Sequence, residues 1–428
     1  MKRVLVSGLL LSTVVLTGCQ TKRAVTKPQY DRPLPPGQLA LRKIEDPSEY
    51  PDFTGGWRDL ETLRTAIRNS LNYFAKPSSK QYFPYCGISH AQAVASLEGF
   101  LRLLDSGARP DEVNGLICAG FEVYESVGCD DQGTVLFTGY YTPIFEGSRV
   151  RTAQFKYPLY RVPPDLEKGA DGETLGRRGP DGQLSPYPAR AEIEDSDMLR
   201  GQELIWLSDP FETYIAHVQG SAKVRLPDGQ IITVGYAATN GHEYVSVAQR
   251  LVAESKISPE RISLATMIDY FKEHPDEVDT YVRANPRYVF FQSSEDTPRG
   301  SLNEPVIAWR TLATDKSIFP RGCLAFLSTQ LPSMQAGRMS IGAYEGFALD
   351  QDTGGAIRAP GRCDIYMGEG DEAGQLAGQT YQEGRLYYLF IRPESLAPAP
   401  LTDANPGQDG NERPVPPDQV MTRPGSIQ

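Results

Sequence analysis

Three aspartates in the C-terminal part of this 428-residue chain are the side chains best suited to acid–base chemistry. Asp352 and Asp364 lie in a glycine-rich stretch from Phe347 to Tyr388, and Asp315 lies upstream in the sequence ATDKSIFP. Cleaving a glycosidic bond requires a proton for the leaving oxygen and negative charge near an oxocarbenium-like transition state, and carboxyl groups supply both. Aspartate also favours turns, so this stretch alone supports catalysis and turn formation about equally.

Three other motifs combine aromatic residues with small polar ones. They are FTGYYTP at residues 137–143, HVQGSAKV at 217–224 and GYAATNGHEY at 235–244. Sugar rings present apolar faces rimmed by hydroxyls, so a glycan-binding surface combines aromatic rings with Ser, Thr, Asn and Gln. Because Tyr and Thr are also good strand formers, each motif by itself is more typical of an ordinary strand or turn. The candidate substrate contacts are Thr138, Tyr140, Tyr141, Gln219, Ser221, Tyr236, Asn240 and His242.

The sequence predicts neither a metal site nor a cofactor site. The four histidines are scattered without an HExxH pattern, and there is no CxxC pair, P-loop or GxSxG motif. The net charge is −11 and no stripe of Lys and Arg is present, which argues against a nucleic-acid partner.

The N-terminus is typical of an exported protein. Lys2 and Arg3 precede an apolar run that ends in Leu-Thr-Gly-Cys, which predicts a signal peptide over residues 1–18. These four residues resemble a bacterial lipoprotein signal, which implies lipidation of Cys19 and attachment to a membrane surface. The alternative is an ordinary secretory signal with an incidental cysteine.

The segment after the signal peptide, residues 19–50, is rich in Pro, Lys, Arg and Gln. This composition predicts a flexible tether.

An oxidising compartment allows one or two disulfides among the five remaining cysteines and leaves at least one thiol unpaired. The sequence does not fix their pairing; they are Cys86, Cys118, Cys129, Cys323 and Cys363. Cys363 precedes Asp364 directly, and we expect it to be a small buried residue or a disulfide partner rather than a nucleophile.

The elements that must position these residues are helices first and strands afterwards, in a chain long enough for two or three domains. An apolar stripe predicts a helix from Trp57 to Phe74, and Ser89 is a plausible N-cap for a second helix. Strands are predicted beyond Asp130, including one from Phe211 to Val218. We expect residues 166–188 to form a surface loop, and the Pro- and Gly-rich residues 393–428 to be disordered.

In chain order, these motifs closely resemble the membrane-bound lytic murein transglycosylase A family. The resemblance covers about Thr134 to Leu389 and includes FTGYYTP, YPLYRVPP, ARAEI, HVQGSAKV, GYAATNGHEYVSV, NPRYVFFQ, ALDQDTGGAI and DIYMGEGDEAGQLAG. It implies a mainly β fold with α-helices. A double-psi β-barrel domain (residues 51–143 and 293–392) would carry a smaller inserted β-barrel domain (144–292), with a substrate groove between them. Residues 303–392 resemble the 3D domain, whose three aspartates correspond to Asp315, Asp352 and Asp364.

The resemblance also implies a reaction. Members act as lytic exotransglycosylases on the β-1,4 bond between N-acetylmuramic acid and N-acetylglucosamine, with a 1,6-anhydromuramic end as product and no water consumed. The catalytic acid/base of the family corresponds to Asp364. Asp352 would position Asp364 and favour its protonated form, or stabilise positive charge at C1, and Asp315 would support them or form a turn. The implied partners are peptidoglycan strands and cell-wall enzyme complexes at the periplasmic face of the outer membrane.

Two alternatives stay open from the sequence. The first is a hydrolase acting on the same bond, since the separation of the carboxyl groups decides whether water can enter. The second is a non-catalytic glycan-binding lipoprotein with the same barrel.

The loop between Asp352 and Asp364 is one residue longer than in familiar members of the family and includes Pro360-Gly361. The local shape of residues 358–363 is therefore undetermined.

Overall fold

The computed structural model describes residues 28–169, 172–259, 261–294 and 297–396. The predicted signal peptide, the lipidation site Cys19 and nearly all of the predicted C-terminal tail lie outside the described residues. Within these ranges no helix combines the length and apolar character needed to cross a membrane.

The described residues contain the following helices and strands. The α-helices are α1 (Leu60–Phe74), α2 (His90–Asp105), α3 (Val113–Gly120), α4 (Arg190–Glu194), α5 (Pro210–Gln219), α6 (Val247–Ala253), α7 (Leu264–Glu273), α8 (Val278–Val282) and α9 (Gly370–Gln379). The strands are β1 (Leu41–Lys43), β2 (Phe121–Ser126), β3 (Val135–Thr142), β4 (Ile144–Ser148), β5 (Tyr157–Tyr160), β6 (Leu166–Lys168), β7 (Thr174–Arg178), β8 (Leu184–Ser185), β9 (Glu203–Leu207), β10 (Ser221–Arg225), β11 (Ile231–Thr239), β12 (Val289–Ser294), β13 (Thr311–Ala313), β14 (Leu324–Gln335), β15 (Arg338–Asp352), β16 (Arg362–Glu369) and β17 (Tyr381–Ile391).

Six strands close into a barrel in the order β17-β14-β15-β13-β16-β3, and β3 pairs back to β17. The pairs β13–β15 and β16–β3 are parallel, whereas the other pairs of the ring are antiparallel. The fold class predicted from the sequence, a β-barrel domain with helices and a second β-domain, is confirmed. Helices α1 and α2 share one continuous core with the barrel, and Ser89 caps α2 as predicted by accepting a hydrogen bond from the Gln92 amide.

Alternation along two neighbouring barrel strands decides which side chains reach the outer surface. On β16, Cys363, Ile365 and Met367 belong to the core, so Asp364 and Tyr366 point to the opposite face. On β3, Phe137 and Tyr141 belong to the core, which places Thr138 and Tyr140 on the outer face. In the parallel register Asp364 pairs with Thr138 and Tyr366 with Tyr140. The outer face of β3 and β16 therefore carries a contiguous group of polar and aromatic side chains, of which Tyr366 is buried.

A separate β-unit lies between β3 and β13 in the sequence. Its six-stranded sheet has the order β12-β11-β10-β4-β9-β5, with its own core of buried residues from these strands and from α5 to α8. The edge strands β5 and β12 contact each other, so the sheet curls towards a closed shape. The chain enters the unit at Pro143, between β3 and β4, where the Pro143 carbonyl accepts a hydrogen bond from the Lys223 amide.

The structure differs from the sequence prediction in three segments. The strand predicted from Phe211 to Val218 is helix α5, because Asp209 caps the amides of Phe211 and Glu212 and Pro210 occupies the first turn. The loop predicted over residues 166–188 contains the three-stranded sheet β6-β7-β8. The predicted tether is ordered at its end, because β1 pairs with β2 and buries Leu41.

Candidate active site

Strand β13 brings Asp352 and Asp364 together. Ala313 pairs with Asp352 of β15 on one side and with Asp364 of β16 on the other. The two aspartates are therefore two strand spacings apart, about 10 Å between Cα atoms. Two residues separated by a glycine-rich loop in the sequence thus become neighbours across a single short strand.

A β-bulge in β15 controls which acidic side chain reaches the surface. Leu312 pairs with Asp350, but the next residue, Ala313, pairs with Asp352, so Gln351 is the extra residue. Such a bulge re-aims the side chains that follow it. Asp350 and Gln351 are fully buried, whereas Asp352 is partly exposed.

Asp364 is held by a hydroxyl and a guanidinium. The Thr138 hydroxyl donates a hydrogen bond to Oδ1 of Asp364. Nη2 of Arg362 donates to the same oxygen at 3.2 Å and to the Thr138 hydroxyl oxygen at 3.1 Å. The Asp364 side chain keeps 17% of its surface exposed. Neither donor contacts Oδ2, so the two donors fix the carboxyl group through one oxygen only.

Asp352 accepts three hydrogen bonds. The Tyr140 hydroxyl donates to Oδ2 at 2.8 Å, and the amides of Ser301 and Thr353 donate to Oδ1 at 2.8 Å each. Burial raises the pKa of the Asp352 carboxyl, and the bonds from Tyr140, Ser301 and Thr353 act in the opposite direction. Gly300 is required beside it, since a Cβ there would lie 2.8 Å from the Gln351 carbonyl oxygen.

Asp315, the third predicted aspartate, is 7% exposed. Its carboxyl group accepts hydrogen bonds from backbone amides. Its Oδ1 accepts hydrogen bonds from the Ser317 amide and hydroxyl at 3.1 and 2.6 Å. Its Oδ2 accepts from the Ala359 amide at 3.1 Å, and Ala359 has φ of 65°. Asp315 therefore forms a turn and also fixes the loop that leads into Arg362 and Asp364.

Two predicted substrate contacts, Gln219 and Ser221, are hydrogen-bonded to β3 at the junction of the two units. The Tyr366 hydroxyl and the Thr142 hydroxyl share a hydrogen bond of 2.9 Å, and the Thr142 and Ser221 hydroxyls are 3.3 Å apart. Oε1 of Gln219 accepts from the Tyr141 amide at 3.2 Å. Gln219 and Ser221 are thus placed beside the outer face of β3.

Two predicted contacts have structural roles instead. The Tyr141 ring is 7% exposed and packs in the core, where it faces Gly374 of α9. Asn240 is 2% exposed, and its amide group bonds only backbone: it donates to the carbonyls of Pro188 and Pro286 and accepts from the Tyr288 amide. Neither side chain is free to contact a substrate.

The last two predicted contacts lie in the inserted unit. Tyr236 on β11 is 45% exposed. His242 is partly buried, with Nε2 2.7 Å from the Tyr187 carbonyl oxygen. The residues that follow His242 face the loop between the two aspartates: a Cβ at Gly355 would lie 3.6 Å from Cβ of Tyr244. This loop therefore borders the surface that joins the barrel and the inserted unit.

Sequence reasoning missed the charged residues that support the site. Lys316 pairs with Asp350 inside the barrel, where Asp350 also accepts from the hydroxyls of Thr314 and Tyr388. Arg362 was considered only as part of a loop of undetermined shape. The signal was its spacing: in β16, Arg362 and Asp364 are two residues apart, and side chains at that spacing share a face of a strand.

The five cysteines within the described residues are free. Cys363 is fully buried, and burial raises the pKa of its thiol, which keeps it protonated and matches the expected small buried residue. No group of three or more His, Cys, Asp or Glu side chains in the described ranges is placed to hold a metal ion.

Comparison with known proteins gives a consistent result. Two family models match, the MltA specific insert domain at residues 136–292 and the 3D domain at residues 310–390. The membrane-bound lytic murein transglycosylase A of Escherichia coli K12 is 31% identical over 278 residues, which cover 64% of this chain and 70% of that protein.

Solved structures show the same fold. The crystal structure of a membrane-bound lytic murein transglycosylase from Agrobacterium tumefaciens has a TM-score of 0.69 and 28% identity, covering 83% of this chain and 99% of that one. The structure of E. coli MltA with bound chitohexaose has a TM-score of 0.64 and 24% identity, covering 85% and 99%.

Proposed function

The chain belongs to the membrane-bound lytic murein transglycosylase A family, and on that premise we propose that it cleaves peptidoglycan strands with Asp364 as the single acid/base. The observation that carries this proposal is the register of β13, which places Asp352 and Asp364 on either side of Ala313. The Asp364 side chain is partly exposed on the outer face of the barrel.

The reaction balances without water. Protonated Asp364 gives its proton to the glycosidic oxygen, the bond between that oxygen and C1 of the muramic residue breaks, and the electron pair leaves with the oxygen. The resulting Asp364 carboxylate then removes the proton from the C6 hydroxyl, whose oxygen forms the new bond to C1. One carboxyl group serves both steps because the second step restores the proton used in the first.

The neighbours of Asp364 and Asp352 have defined parts in this scheme. Thr138 and Arg362 bind Oδ1 of Asp364, which orients Oδ2 towards the glycosidic oxygen and stabilises the carboxylate formed after proton donation. Asp352, held by Tyr140, supplies negative charge beside C1 as positive charge develops there. Tyr140 and Thr138 thereby act on the aspartates, while Gln219, Ser221, Tyr236 and His242 remain the proposed contacts for the glycan.

Mass spectrometry of products from purified peptidoglycan tests this proposal. We expect fragments one water lighter than hydrolysis products, and we expect Asp364→Asn to abolish them in a protein that stays folded. Asp276→Asn changes an exposed aspartate of the inserted unit and serves as the matched control. Reducing ends of ordinary mass would identify a hydrolase instead, and binding to peptidoglycan without cleavage would identify a non-catalytic glycan-binding protein.

Domain organisation and location complete the proposal. The large domain comprises residues 51–143 and 293–392, and the inserted domain comprises residues 144–292. The start of β4 at Ile144, directly after Pro143, supports the first boundary.

The protein is membrane-associated, and we attribute this to an acylated Cys19 that holds it at the periplasmic face of the outer membrane, with cell-wall enzymes as partners. Cys19→Ser should release the protein from outer-membrane fractions, and retention there would exclude this anchor.

A further inference from the structure

A cleft lies outside the surface that carries the paired aspartates. It has a volume of about 290 Å³ and lies where the β14–β15 hairpin leaves the barrel and meets the start of α1. Arg58, Asp59, Trp309, Arg310 and Tyr344 line it, together with other residues of the hairpin. Neither Asp352 nor Asp364 belongs to its lining, and the reaction described above uses none of its residues.

Two aromatic rings form its wall. The rings of Trp309 and Tyr344 lie 5.7 Å apart at an angle of 35°, and both residues are partly exposed. The Arg58 guanidinium lies 4.7 Å from the centre of the Tyr344 ring, and its Nη2 donates to the Glu345 carbonyl at 2.9 Å. The cleft thus combines two partly exposed aromatic rings with charged hydrogen-bonding groups.

The backbone of Trp309 is strained. Its φ is 65°, a conformation that is an outlier for a bulky side chain and costs on the order of 1–3 kcal/mol. Such strain persists only where surrounding contacts impose it, and it concentrates at sites that bind ligands.

The next residue, Arg310, links the segments around the cleft through its side chain. It is 3% exposed, and its Nη1 donates to the Phe347 carbonyl at 2.8 Å. Its Nη2 donates to the carbonyls of Arg58 and Asp59 at 2.6 and 3.0 Å. One buried guanidinium therefore fixes both sides of the cleft, and the site is formed before any ligand arrives.

We propose that this cleft binds an N-acetylhexosamine unit of a glycan strand, as a second carbohydrate site outside the catalytic surface. Aromatic faces suit the apolar face of a pyranose ring, while Arg58 and Asp59 supply a donor and an acceptor for hydroxyl and acetamido groups. The choice of a glycan rests on the proposed function. The Trp309 amide donates to the Tyr366 carbonyl at 2.7 Å, so the cleft adjoins β16, the strand that carries Asp364. Binding at two places raises the effective concentration of a long strand at the catalytic surface.

Indole NMR signals give a direct test. The protein has three tryptophans, so ¹⁵N-labelled Asp364→Asn protein should show three indole signals, assignable by Trp→Phe substitutions. During titration with chitohexaose we expect the Trp309 signal to move saturably, with Trp57 and Trp206 as internal references. In Tyr344→Ala protein the same shift should require a higher saccharide concentration. An unchanged Trp309 signal at saturating saccharide, or a titration unaffected by Tyr344→Ala, would overturn the proposal.

Kinetics on long and short substrates form the second test. Trp309→Gly removes the ring and also relieves the strain of the positive φ angle, so we expect the variant to fold. We expect KM for intact peptidoglycan to rise about three- to tenfold, the effect of one aromatic contact, with kcat on short glycans unchanged. Trp206→Ala is the matched control, since Trp206 is also partly exposed and has Arg151 over its ring at 5.8 Å. A fall in kcat on both substrates would indicate a role for Trp309 in supporting β16 and would refute a binding site.

The two proposals fail separately. If wild-type protein cleaves peptidoglycan but the Trp309 signal does not respond, only the second carbohydrate site is refuted. If wild-type protein cleaves nothing while the Trp309 signal responds, the catalytic proposal is refuted and the binding site stands.

Discussion

Replacing Asp352 with asparagine should make the protein more stable at neutral pH and much less active. Burial raises the pKa of Asp352 in the folded protein, so the folded state holds its proton more tightly than the unfolded chain does. The ionised carboxylate therefore destabilises the fold. Below the pKa of aspartate in the unfolded chain, about 3.9, this cost is absent. It grows as the pH rises through the higher pKa of Asp352 in the folded protein. Asparagine cannot ionise, and it removes this cost.

The local geometry accepts the substitution. Oδ1 of Asp352 receives both amide bonds, from Ser301 and Thr353, and the asparagine oxygen can accept both. The new NH₂ group would then take the place of Oδ2, and the Tyr140 hydroxyl can change from donor to acceptor. Loss of the charged hydrogen bond to Tyr140 offsets part of this gain. We expect the free energy of unfolding at pH 7 to be higher for Asp352→Asn than for wild type, with a correspondingly higher Tm.

Denaturant unfolding from pH 4 to pH 8 measures this effect. The difference between Asp352→Asn and wild type should be small at pH 4 and should grow with pH, while kcat on peptidoglycan falls about 100-fold or more. Asp350→Asn is the matched comparison, two residues away and fully buried. It leaves the Lys316 charge without its partner, which should cost about 3–5 kcal/mol. A destabilised Asp352→Asn protein at pH 7, or a difference independent of pH, would refute this account of Asp352.

Three further substitutions test other parts of the structure. Burial raises the pKa of Glu212 to about 7, so Glu212→Gln should remove a loss of stability that wild type shows between pH 4.5 and 7, and identical pH profiles would contradict this. Asp315→Asn places an NH₂ group against the Ala359 amide, so kcat should fall about tenfold or more as the loop before Arg362 shifts; unchanged kcat would exclude that positioning role. Cys363→Ala should keep catalytic activity and cost about 1 kcal/mol in unfolding experiments, and loss of activity without unfolding would reveal a chemical role for the thiol.

The alternation of apolar residues in the sequence was sufficient to assign side chains of the site to one face of their strand. Apolar residues at every second position around Asp364 place the aspartate on the face opposite the core, whatever the core is. The resemblance carried by the order of the motifs implied a barrel with a second β-domain, and that fold class is confirmed. The helix predicted from Trp57 to Phe74 also exists, with a later start at Leu60.

Where two adjacent residues are of the same type, alternation alone could not show which of them faces the core. Tyr140 and Tyr141 are adjacent and chemically identical, yet one bonds Asp352 and the other packs in the core. The bulge at Gln351 likewise separates Asp350 from Asp352, and no local preference distinguishes these two aspartates. In both cases the position of the surrounding strands decides which side chain is buried.

By itself, the sequence determined the residue types and the local periodicity of β16, because both are properties of neighbouring positions. Only the tertiary structure decided which residues meet. Thr138 reaches Asp364 across 226 positions, and Asp315 fixes Ala359 across 44. Such contacts depend on barrel closure, in which strands distant in the chain pair to bury a shared core, and that pairing is not encoded in any single stretch of residues.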